Sequence, residues 1–101
     1  MKYTQEELSK ILSAAGATNL RYADLNGVDL NGANLRYADL RYADLRYADL
    51  RNADLSYADF SDANLSYADL SYADLSDTTL NAALIKGAKG LPATPTKGDV
   101  V

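Results

Sequence analysis

The chain has 101 residues, room for one domain, and carries a formal charge of −4 from ten basic and fourteen acidic side chains. It holds no cysteine and no histidine, which excludes disulfides, thiolate metal sites and the commonest general base and metal ligand. The acidic balance gives no basis for direct nucleic-acid binding through a basic surface, and no apolar run approaches the ~18 residues of a membrane span.

Met1 to Gly16 lacks the apolar centre of a secretory signal, so the expected compartment is the cytoplasm. Within it, Thr4-Gln5-Glu6-Glu7 is a capping box: Thr4 accepts from a first-turn N–H while Glu7 reaches back. Leu8, Ile11, Leu12 and Ala15 come next on one helical face, and Gly16 supplies a left-handed stop. The spacing predicts a helix over residues 5–15 in an N-terminal cap spanning 1–17. About three turns do not hold alone in water, so the apolar face is expected to cover the open top of the repeating segment that begins near Asn19.

From Asn19 onward the pattern A-(D/N)-L-x-x recurs, perfect over Leu35–Leu50 as L-RYADL-RYADL-RYADL. Its central residues are Leu20, Leu25, Leu30, Leu35, Leu40, Leu45, Leu50, Leu55, Phe60, Leu65, Leu70, Leu75, Leu80 and Ile85. A helix turns ~100° per residue, so a period of five scatters these side chains around its cylinder. A flat strand alternates sides, so an odd period sends successive Leu to opposite faces. A chain that bends once per quintet points every Leu at one axis. Four such sides close a square and stack residues twenty apart at ~4.8 Å.

These quintets resemble the pentapeptide-repeat family, over about two thirds of the chain, residues 18–85. The resemblance implies an all-β solenoid, a right-handed quadrilateral β-helix, here of about 3.5 coils over residues 18–86. It also implies that the central residue and the small residue two before it point inward. That small slot holds Ala23, Val28, Ala33, Ala38, Ala43, Ala48, Ala53, Ala58, Ala63, Ala68, Ala73 and Ala83. Thr18 and Thr78 depart from it, and a buried hydroxyl needs a partner, so the regular coil is expected to relax there.

The slot before each Leu is Asp or Asn from Asn19 to Asp74, read as solvated, turn-supporting carboxylates rather than metal ligands. After each Leu comes Arg21, Asn26, Asn31, then a ring of Arg36, Arg41, Arg46 and Arg51, then Ser. The ring is expected to be compensated by neighbouring Asp in exposed pairs worth ~0–1 kcal/mol. The next slot carries seven tyrosines, and stacking by twenty pairs Tyr22 with Tyr42, Tyr37 with Tyr57 and Tyr47 with Tyr67. At the far end Leu84 stands in the Asp slot, so residues 81–87 read either as a last quintet or as a single helical turn. Leu84, Ile85 and Leu91 are candidates for a lower cover, and 87–101 for a C-terminal cap and extended tail.

No nucleophile elbow or phosphate-cradling glycine loop is present, and the carboxylates occupy repeated settings with nothing evident to shift their pKa. The expectation is a non-enzymatic structural or scaffold protein with no cofactor, metal or catalytic residue, and no membrane partner. Self-association through a coil end, or contact with another protein, is left open. RYADL and SYADL recur verbatim, a uniformity resembling consensus design or recent duplication. Some relatives in the family resemble duplex DNA in shape and charge and bind type II topoisomerases such as DNA gyrase. That is the alternative. Against it stand a short array and five Arg among eleven Asp over residues 19–85.

Overall fold

The structure is a computed structural model, and it describes residues 4–7 and 18–91. From Leu20 the chain alternates a two-residue corner with a short extended side. Each corner is closed by the small residue's N–H donating to the Leu carbonyl three back, as Ala43 does to Leu40 at 3.1 Å. Of the two corner residues only the second has positive φ, +63° at Tyr42, which is the type II turn pattern. With the corner taking most of each quintet, one residue is left to pair across coils. That residue is the Asp-slot one. Parallel bridges run from Asn19↔Asp39 through Asp69↔Lys89, always twenty apart.

One quintet shows how the backbone is satisfied. Asp39 N donates up to Thr18 O at 2.8 Å and Leu40 N down to Asp59 O at 2.8 Å. Tyr42 N donates down to Ser61 O at 3.1 Å, and Ala43 N closes the turn. Arg41 N alone lacks a backbone carbonyl, and the Asp39 carboxylate accepts it at 3.2 Å. All five amides are thereby paired, as a compact backbone requires.

The core is a column of inward side chains. Leu20 to Leu80 at every fifth position are buried, including Phe60, and Ile85 is partly buried against the same cluster. The small slot fills the space between them, with Ala33 and Ala73 only partly buried. Thr78 does not relax the coil. Its hydroxyl donates to Leu55 O at 2.9 Å, its N–H closes the usual turn, and Thr79 bridges Asp59. The second lone pair of a carbonyl already used by Ala58 accommodates the hydroxyl. At Thr18 the carbonyl likewise pairs in register with Asp39.

At the lower end the quintet reading of 81–87 holds, with Leu84 bridging Asn64. The ladder runs on to Lys89, three residues past the expected boundary at 86, because Ala88 and Lys89 occupy the small and pairing slots. Leu84 is 45% exposed: its slot points outward whatever the side chain. At the upper end Gln5–Glu7 form a first helical turn. The capping box is made, with Thr4 N donating to Glu7 Oε1 at 2.8 Å and Glu7 N to Thr4 Oγ1 at 3.1 Å. The rest of the expected helix, with Leu8, Ile11 and Leu12, and the tail beyond Leu91 lie outside the described residues.

Replacing Leu50, which is fully buried, by Ala is expected to cost ~2–5 kcal/mol through the void it leaves. The same change at Ile85, half-buried in the last coil, should cost clearly less. Denaturant unfolding of the two variants measures the difference.

Candidate functional site

The outward shell repeats one small unit. From Asn19 to Asp74, all twelve Asp or Asn side chains accept the N–H two residues on, at 2.9–3.2 Å. This is the Asx turn, favoured by short side-chain acceptors next to a corner. Three arginines then add a bidentate fork: Arg41 on Asp39, Arg46 on Asp44 and Arg51 on Asp49, at 2.7–2.9 Å. Arg21 reaches across coils to Asp39 at 3.2 Å. Lower down, the hydroxyls of Ser56, Ser61, Ser71 and Ser76 donate to the same carboxylates at 2.6 Å.

These Asp are not the freely solvated groups the sequence suggests. The forked side chains of Asp39, Asp44 and Asp49 are only 27–30% exposed. The Arg51 fork holds Asp49 down to about 2, against the opposing effect of burial. The forks from Arg41 and Arg46 lower Asp39 and Asp44, and the Ser71 and Ser76 hydroxyls lower Asp69 and Asp74. Repetition does not leave these five carboxylates unshifted, because each of them carries its own donors. The direction fixes them as anions and suits no proton donor near neutral pH. Among the described residues, no group of three or more Asp or Glu is placed to hold a metal ion.

Arg36 differs from the rest of its ring. It follows Asn34, which offers no carboxylate, and its guanidinium lies over the rings of Tyr37 and Tyr57 at 5.4 and 5.8 Å. Ser56, directly below Arg36 in the stack, is only 4% exposed. The three tyrosine pairs stack face to face at 4.8, 4.9 and 5.3 Å, within 11° of parallel. Tyr67 continues downward over Gly87, where an added Cβ would stand 2.5 Å from its ring. Tyr72 is 90% exposed.

With the quintet geometry and its outward shell in view, comparison with known proteins decides the family. A family model described as pentapeptide repeats matches in eight copies over residues 17–50 and 43–81. The chain belongs to the pentapeptide-repeat family. A crystal structure of a pentapeptide repeat protein from Nostoc PCC 7120 is 38% identical with a TM-score of 0.74, covering 92% of this chain and 75% of its own. A pentapeptide repeat protein from the Arabidopsis thaliana thylakoid lumen is 41% identical with a TM-score of 0.54, over 69% of this chain. The chain spans 46% of that protein's length. QnrB1, a plasmid-mediated fluoroquinolone resistance protein, is 21% identical with a TM-score of 0.44, over 69% of this chain and 42% of its own. Comparison with curated proteins gives no match. Membership implies the right-handed quadrilateral coil expected from the repeats.

Sequence reading missed the strained corner. Among the described residues, the non-glycine residues at positive φ all occupy the second slot after the central residue, tyrosines included. The signal was present: that slot also holds Gly27, Gly32, Asn52, Asp62, Asp77 and Gly87, the residue types that tolerate left-handed backbone. Gly27→Ala is expected to cost ~1 kcal/mol through conformation alone, since its Cβ meets nothing within 4 Å. Gly90→Ala should cost more, because its Cβ would stand 2.5 Å from the Leu70 carbonyl. Thermal unfolding of the pair separates strain from clash.

The lowered carboxylates set a pH dependence. A native pKa below the unfolded ~3.9 means stabilisation that is present above pH ~4 and lost as pH falls. The unfolding midpoint should hold from pH 7 to 5 and drop between pH 4 and about 2, the value at Asp49. Asp49→Asn keeps an acceptor for Arg51 N–H but removes one titration, so its midpoint is expected to fall less steeply over that range.

Proposed function

We propose that this pentapeptide-repeat protein is a non-enzymatic structural rod, a scaffold whose sides serve protein contacts. One observation carries the reading. The outward polar groups that chemistry would recruit are engaged in the rod's own framework, twelve as Asx acceptors and three further as arginine forks. What the sides leave for a partner is aromatic: tyrosines 46–90% exposed at the corners. Exposed tyrosine on rigid backbone suits protein recognition. The verbatim quintets support a consensus-like origin in which uniform packing was the selected property.

The competing reading is a duplex-DNA mimic that binds a type II topoisomerase. Its requirement is a continuous acidic face, whereas here Arg41, Arg46 and Arg51 neutralise three adjacent sides of one coil. Purified protein is expected to leave gyrase supercoiling unchanged at micromolar concentration. It should give a β-type circular dichroism spectrum and a single cooperative melt. Inhibition of supercoiling would replace the scaffold reading with the mimic, and a helix-dominated spectrum would remove both.

A further inference from the structure

The upper edge of the coil carries a contact that neither the repeat pattern nor the scaffold reading explains. In the interior ladder, Asp49 N donates to Val28 O at 2.9 Å while Leu30 N donates to Asp49 O at 2.7 Å. Asp29 lies one coil higher on the same side, and among the described residues no coil stands above it to supply that carbonyl and that amide. The Gln5 side chain supplies both. Its Oε1 accepts from Asp29 N at 3.4 Å and its Nε2 donates to Asp29 O at 2.5 Å. A carboxamide has the donor and acceptor of a peptide group in the same plane, so it reproduces the missing bridge.

An unpaired bridge position at the end of a parallel ladder is a template for another chain. The chain best matched to it is a second copy's lower coil. Continuing the twenty-residue register past Lys89 of one copy places Asp29 of the next directly below it. The two side chains are of opposite charge, both are exposed, and the coil spacing sets them ~4.8 Å apart. Such a contact is head-to-tail and does not close, so it builds filaments. We propose that Gln5 is an edge lock: its carboxamide occupies the Asp29 bridge position and prevents end-on stacking of a second copy through its Lys89 coil.

The test uses the full chain. In the wild type, the Asp29 amide should exchange with solvent about as slowly as the Asp49 amide. Exchange at the rate of an unprotected amide overturns the proposal whether or not any variant folds. In Gln5→Ala, Asp29 exchange in dilute protein should accelerate roughly tenfold, the scale of one lost hydrogen bond. Sedimentation velocity should then show mass rising with concentration, where the wild type shows none. Adding Lys89→Glu to Gln5→Ala should reverse that rise. A Gln5→Ala protein with wild-type mass at every concentration overturns the lock. Association that Lys89→Glu leaves unchanged overturns the lower coil as the occupant.

Discussion

One amide in each quintet has no place in the backbone ladder, and the fold depends on how it is answered. The N–H after each inward Leu points at neither the coil above nor the coil below. In every quintet from Asn19 to Asp74 an Asp or Asn side chain two residues earlier accepts it. A buried or half-buried amide without an acceptor costs ~1–3 kcal/mol, and repeated at each corner that would exceed the stability of a small domain. Leu fills the axis, but Asp makes the corner permissible. The repeat is therefore an A-D-L unit for two separate reasons, one apolar and one polar.

The same corner explains the tyrosines. A non-glycine residue in left-handed backbone costs ~1–2 kcal/mol, and the structure accepts that at Tyr22, Tyr37, Tyr42, Tyr47, Tyr57, Tyr67 and Tyr72. Six of the seven recover part of it by stacking, at ~0.5–1.5 kcal/mol per contact. Tyr72, 90% exposed beneath Asn52, is in none of the three stacked pairs. Gly27, Gly32 and Gly87, each at one end of its column, take the same conformation at lower cost.

Period and register were legible because they follow from counting. A five-residue apolar spacing admits no helix and no flat strand, so the four-sided coil, its twenty-residue bridges and the three tyrosine pairs could be read from residue numbers. What could not be read so was anything set by backbone direction. Nothing in the letters R-Y says that Arg41 N–H faces its own Asp39, and the left-handed turn at Tyr42 is signalled only by the Gly, Asn and Asp that share its slot in other quintets. Thr78 misled for a related reason: a hydroxyl in an alanine slot looks disruptive until a carbonyl with a spare lone pair, Leu55 O, lies within reach. The arginine ring divided on a single letter. Asn34 in place of Asp sends Arg36 to the tyrosine faces instead of a carboxylate.

A perfectly periodic ladder has a weakness that its interior cannot show. Every coil is a good template for the next, so the features that stop growth must be aperiodic and must sit at the ends. The chain spends its irregular sequence there. At the bottom, Leu84 and Lys89 replace Asp in the pairing slot, which keeps the bridges but changes the charge presented beyond them. At the top, the capping box holds the first turn so that Gln5, one residue after Thr4, meets the backbone of Asp29. A side-chain amide carries a donor and an acceptor side by side, so one group answers both the N–H and the carbonyl of Asp29. A residue that belongs to no repeat is thus what gives the repeat an end.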